Sequence, residues 1–305
     1  DPAALARMAW RFRSERPDVV HTHLFKGDFY GGLAAWLAGV RAIVSSKHNE
    51  DPELRHPVFG PLGRLVLAAD DAVIAISRAV ARYLAGSGRV DRRKLRVVHY
   101  GVDLPGRLPE RGRFRSELGV PAGAPLVVLI GRLEPQKDIG TFLEAAAIVR
   151  HDRPDVHFAV VGKGSQEAAL RERSRSLGLD GVVRFAGFRT DVPQILSDAD
   201  ALALTSRWEG FGLVLVEAMA AERPVVATAT GPVPEVVGDA GLLVHPGDAP
   251  GVARALGAVL GDPALAARLG QAGRARVEAR FAVRRMVDET AGLYEELLAR
   301  RRSRW

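Results

Sequence analysis

Two glutamates, Glu209 and Glu217, stand eight positions apart in the stretch EGFGLVLVEAMA at 209–220, with Gly210 and Gly212 between them. A strand-like apolar run, Ala201 to Leu204, comes before the stretch, and a helix-like run, Leu213 to Met219, lies inside it. A loop that leaves a strand and opens a helix exposes backbone N–H groups with no intrahelical partner, so it attracts anions. Glycine lacks a Cβ and lets a phosphate or sugar approach the backbone. Two carboxylates beside an anion-binding turn suit a ligand that also carries hydroxyls, as a ribose and a sugar do.

A second constellation opens the run IGRLEPQKDIGTFLEA at 130–145. Gly131 turns the chain after a strand, and Arg132 and Lys137 follow five positions apart. These cations suit a diphosphate, which Arg binds bidentately and Lys binds as a point charge. Gly162 and Gly164, the segment Gly187-Phe188-Arg189-Thr190-Asp191, and Gly231 close further strand-like runs. Glycine loops at successive strand ends of one sheet would line one rim. The pair Asp198 and Asp200 has the form of an Asp-x-Asp metal motif. Between a helix end and a strand, however, Asp residues commonly cap and turn the chain, so no metal is expected there.

The elements that must position these groups alternate. Apolar β runs at 18–21, 42–45, 72–76 and 95–98 are separated by helical patterns, including one at 61–69, which predicts a parallel sheet. Gly and Pro punctuate 101–125. A second series then runs through 126–130, 157–161, 182–185, 201–204, 225–227 and 241–244, and the chain from about 249 is helical with a break near Gly261-Asp262-Pro263. We expect an acceptor-side Rossmann-like domain over 1–106, a linker over 107–121 and a donor domain over 122–285. A C-terminal helix over 286–305 is expected to pack back toward the first domain. The fold class is α/β, with two doubly wound domains facing a cleft and ligands at the carboxyl ends of the strands.

Composition narrows the partners. The chain has 305 residues, no Cys, 47% hydrophobic residues and a formal net charge of +7. Thiol and disulfide chemistry is excluded, and no run approaches the roughly 18 apolar residues of a membrane span. Basic residues gather at 89–96, 107–115 and 300–304. Without a finger spacing, RNA-binding aromatics or a recognition helix, nucleic acid is not expected. An anionic membrane surface is the better polyanion, because the end from Arg300 to Trp305 is basic and tipped by an aromatic. The expected location is the cytoplasm, peripheral at the inner membrane face.

Taken in order, GRLEPQKD, AGFRTDV, SRWEGFGLVLVEAMA, PVVAT and GPVPEVV resemble the donor domain of the retaining glycosyltransferases of family 4, of the GT-B fold. DVVHTHL, SSKHNE, DDAVIAIS and VVHYGVD resemble the acceptor half more loosely. The resemblance implies transfer from a nucleotide-diphosphate sugar to a hydroxyl acceptor, in cell-surface glycan, lipid-linked oligosaccharide or polysaccharide synthesis. It implies that Arg132 and Lys137 hold the diphosphate, Glu217 the ribose and Glu209 the transferred sugar. Gly131, Gly162, Gly210, Phe211, Gly212 and Leu213 would line the donor, and Gly187, Phe188 and Arg189 would border the base, mostly through backbone. His48 is the expected catalytic histidine, across the cleft from the donor. Of His21 and His23, which alternate on one strand, one should face the cleft. No cofactor or metal is expected, and a UDP-sugar is expected ahead of a GDP-sugar.

The family's first domain normally opens with a strand, a glycine-rich loop and two further strands before the histidine strand. This sequence starts just before that strand, so we expect nucleotide binding with poor transfer. A nucleotide-sugar epimerase of the same fold and a non-catalytic nucleotide-binding module are the rival readings.

Overall fold

A computed structural model describes residues 1–49, 63, 66–86 and 90–302. Arg89, Arg304, Trp305 and part of the helical pattern at 61–69 lie outside the described residues. The chain divides into two units, 1–101 with 283–305, and 102–282. Among the described residues no helix is long and apolar enough to cross a membrane.

The first unit holds a parallel sheet in the order β1 (Val19–His23), β2 (Ala42–Lys47), β3 (Ala72–Ala75), β4 (Leu95–Val97). The helix Pro2–Glu15 starts at Asp1, whose side chain accepts from the amides of Ala3 and Ala4, with Pro2 pre-set for the first turn. Between β1 and β2 the helical crossover widens into a π turn over Asp28–Gly32. Such turns rotate a side chain out of helical register. Here the carboxylate of Asp28 is buried; it accepts from Thr22 Oγ1 (2.6 Å) and Ser45 Oγ (2.8 Å) and pairs with the buried ammonium of Lys47. That network pins the carboxyl ends of β1 and β2 together. The C-terminal helix Val283–Arg302 lays Leu293 and Leu297 on Ala42, Val44, Ala72 and Ile74 of this sheet.

The second unit holds six parallel strands in the order β10-β9-β8-β5-β6-β7. These are β5 (Leu126–Ile130), β6 (His157–Val161), β7 (Val183–Gly187), β8 (Ala201–Leu204), β9 (Val225–Thr228) and β10 (Leu242–Val244). β5, β8 and β9 are apolar because helices cover both faces of a parallel sheet. The strand order reverses between β5 and β8, which makes their carboxyl ends the switch point where such sheets bind ligands.

Residues 107–121 are not a free linker: they pack as part of the second unit. A short helix, Arg113–Glu117, buries Phe114 and Arg115. Asp198 accepts from the amide of Phe114 (2.7 Å) and from Gln194 (3.1 Å). Asp200 holds Arg115 (2.5 Å) and the amide of Leu126 (2.7 Å). The two aspartates of the Asp-x-Asp pattern are therefore clamps for this segment. Glycine and proline density suggested a loop there; the burial of Phe114 and Arg115 decides otherwise.

Candidate functional site

The rim of the second sheet is laced backbone to backbone. The amide of Gly131 donates to the carbonyl of Val161 (2.9 Å), that of Gly162 to Gly187 (2.7 Å) and that of Leu133 to Lys163 (3.0 Å). Gly162 has φ +143°, and a Cβ there would fall 1.8 Å from the carbonyl oxygen of Gly131. The Gly162 and Gly164 pair therefore serves loop-against-loop packing. Glu134 completes the seam by accepting from the amide (2.9 Å) and hydroxyl (2.6 Å) of Ser165, which hold its carboxyl below the usual range.

The loop after β8 is fixed just as firmly. Thr205 Oγ1 donates to the carbonyls of Lys137 (3.1 Å) and Asp138 (3.0 Å), Thr228 Oγ1 to Ser206 (2.6 Å) and Thr230 Oγ1 to Arg207 (2.7 Å). Gly212, at φ +86°, begins the helix Leu213–Ala220, and no side chain caps that start. Beside it Glu209, its side chain 5% exposed, pairs with Lys137 and accepts from Ser206 Oγ (2.6 Å). Glu217 is half-buried, burial raises its pKa, and its carboxylate has no partner among the described residues. Arg132 donates to Gln136 (2.9 Å), and Gln136 in turn donates to the carbonyl of Trp208 (3.0 Å). One rim of the second unit thus gathers Gly131, Arg132, Lys137, Glu209, Gly210, Gly212 and Leu213, and the helix that starts there carries Glu217. Ser206 and Gln136 lie inside the quoted motifs, but their orienting role needed the fold to be seen.

Two side chains of the donor motifs are committed to the protein. Phe211 is 3% exposed and stacks edge-on against Phe281 (5.7 Å), so its ring anchors the turn. Arg189 forks onto Asp191 (2.8 and 2.6 Å) and reaches Glu117 (2.7 Å), so its guanidinium is committed to the protein. Phe188 is 64% exposed, with Lys163 Nζ 5.2 Å from its ring centroid.

In the first unit, His48 follows β2 and is half-buried. Its Nε2 lies 3.0 Å from Nδ1 of His23, and its Nδ1 meets the hydroxyl of Tyr100. Burial, and then the neighbouring His23, lower its pKa. His21 packs, bonded to Tyr294 (2.5 Å) and Ser46 (2.8 Å), and is pushed down to about 4 by burial and its histidine neighbours. His23, the last residue of β1, is the exposed one of the pair. Among the described residues no group of three or more histidines and carboxylates is arranged to hold a metal.

Comparison with known proteins bears on this arrangement directly. Residues 110–276 match the glycosyl transferases group 1, and residues 1–105 match Glycosyltransferase Family 4. A D-inositol 3-phosphate glycosyltransferase of Streptomyces avermitilis is 32% identical over 94% of this chain and 67% of its own length. A glycogen synthase of Mycobacterium tuberculosis is 31% identical over 92% and 69%. The chain thus spans about two thirds of the length of these curated relatives. Anabaena HepE, solved with UDP, superposes with a TM-score of 0.87 at 26% identity, covering 96% of this chain and 82% of its own. Its UDP-glucose complex superposes with a TM-score of 0.83. Two parallel α/β units, an uncapped helix start flanked by two glutamates, and matches spanning nearly the whole sequence agree: this chain belongs to the family 4 glycosyltransferases, of the GT-B fold.

Proposed function

We propose that the second unit binds a UDP-sugar and that the protein transfers the sugar to a hydroxyl acceptor with retention at the anomeric carbon, without a metal. The observation that carries this reading is the pairing of Lys137 with Glu209 beside an uncapped helix start, on a helix whose Glu217 carboxylate has no partner among the described residues. Glu217 takes the ribose hydroxyls and Glu209 the sugar hydroxyls. Arg132, Lys137 and the first-turn amides stabilise the charge that builds on the leaving diphosphate. Fixed donors of this kind commonly account for most of an enzyme's rate enhancement. The diphosphate itself takes the acceptor proton, on the same face that the acceptor attacks. The choice of uridine rests on HepE, which was solved with UDP and with UDP-glucose. The net charge of +7 supports an acceptor carried on an anionic membrane surface, and co-sedimentation with anionic vesicles tests that part.

Calorimetric titration with UDP, GDP and ADP, alongside Glu217→Ala and Arg132→Ala, tests the donor site. Selective binding of UDP that both variants lose supports it; equal binding of all three, or wild-type affinity in both variants, overturns it. NMR of the product's anomeric proton, with and without EDTA, tests retention and metal independence.

A further inference from the structure

Five rings touch in succession, from Tyr294 on the last helix through His21 and His23 of β1 to His48 after β2 and Tyr100 after β4. His21 stacks on His23 (4.4 Å between centroids), His23 on His48 (5.2 Å) and His48 on Tyr100 (5.7 Å, planes within 9°), while Tyr294 meets His21 edge-on (5.7 Å). The hydrogen bonds along this line have a direction. A neutral imidazole carries one proton, so when both nitrogens are bonded one donates and the other accepts. A phenol is a good donor and a poor acceptor, whereas an unprotonated imidazole nitrogen is a good acceptor. The hydroxyl of Tyr100 therefore donates to Nδ1 of His48, which leaves the His48 proton on Nε2, aimed at Nδ1 of His23. His21 repeats the pattern, with Tyr294 at its Nδ1 and Ser46 at its Nε2.

We propose that Tyr100 is a positioning residue that fixes His48 as the Nε2–H tautomer, and that His23 is the resting acceptor of that proton. A ligand hydroxyl that displaces His23 then meets a ready N–H donor rather than a lone pair. The role assigned to that donor rests on the reading of His48 as the catalytic histidine; the tautomer does not.

Long-range proton–nitrogen correlation spectra of the chain, labelled with ¹⁵N-histidine, decide the tautomer without any substrate. In the wild type, His48 is expected to show a protonated Nε2 and an accepting Nδ1. Tyr100→Phe should move His48 toward a mixed population while His21 stays unchanged; Tyr294→Phe should do the reverse. A wild-type His48 protonated on Nδ1, or His48 signals unmoved in Tyr100→Phe, overturns the proposal. Unchanged His21 signals show that the variant has folded, and the wild-type spectrum stands by itself if it has not. In transfer assays Tyr100→Phe should lower kcat about 10-fold with KM for the donor unchanged, a fraction of the 10²–10⁴ that a positioned acid or base supplies. A shifted tautomer with full kcat overturns the positioning role and leaves the tautomer assignment intact.

Discussion

The two sheet rims solve the same problem with different materials. In the second unit the rim is fixed by backbone: amides and carbonyls of the Gly131, Gly162 and Gly187 loops bond to one another, and threonine hydroxyls tie down the loop that presents Glu209. In the first unit it is fixed by side chains: an ion pair between Lys47 and Asp28 sits beneath, and a line of rings reaches from Tyr100 to Tyr294. A backbone rim tolerates varied side chains but demands glycine. A side-chain rim tolerates varied backbone but demands each partner.

The sharpest way to break the comparison is one change in each rim. Lys47→Ala leaves the buried Asp28 carboxylate without its cation, and removing one partner of a buried pair costs about 3–5 kcal/mol. Gly162→Ala forces a Cβ onto the Gly131 carbonyl at a φ that L-residues rarely adopt, for a loss of about 3 kcal/mol or more. Denaturant unfolding should show both losses. Only Gly162→Ala should also abolish UDP binding in the protein that remains folded.

Function gives the next contrast. Lys137→Ala should lower kcat by about 10²–10³, the loss expected when one fixed stabiliser of developing charge is removed. Steady-state kinetics with a UDP-sugar checks this; a change confined to KM would mean that Lys137 only binds the donor. Glu217→Ala should weaken UDP about 10- to 100-fold by calorimetry, the loss expected when a carboxylate that accepts from ribose hydroxyls is removed.

The first unit also stores a cost at one carboxyl group. Asp70 is 1% exposed, neither carboxylate oxygen has a hydrogen-bond partner among the described residues, and burial, then Asp28, push its pKa up to about 8. The folded state therefore binds a proton that the unfolded chain, titrating near 3.8, releases. Stability from this group is full at low pH and falls as pH rises from about 4 to about 8, by on the order of a few kcal/mol. Asp70→Asn should flatten unfolding free energy across that window; an unchanged slope would mean that Asp70 is ionised in the native state.

The same division explains what could be read from the sequence. β5, β6, β8 and the helix Leu213–Ala220 fall where apolar period and glycine breaks put them, because local pattern and tertiary demand agree there. Gly131, Arg132, Lys137, Glu209 and Glu217 lie in two contiguous stretches, so spacing marked them as candidates and the family resemblance supplied their expected roles. The ring line draws on positions 21, 23, 48, 100 and 294, and no local pattern joins a tyrosine after β4 to another on the last helix. The 107–121 segment misled because the signal that anchors it, Asp198 and Asp200, lies some eighty residues downstream.

Arg189 is the smallest test and bears on the comparison most directly. It sits in a loop expected to border the nucleobase, and a cation there invites a ligand contact. Its guanidinium instead forks onto Asp191 and reaches Glu117, both partly exposed. If the second rim works through backbone, Arg189→Ala should leave UDP affinity within about 2-fold, and lost surface pairs should cost about 0–1 kcal/mol of stability. Asp191, which Arg189 holds below the usual carboxylate range, should titrate higher in the variant. A loss of UDP affinity beyond about 10-fold would mean that the guanidinium leaves its carboxylates for the ligand, and the second rim would then depend on a side-chain partner as the first one does.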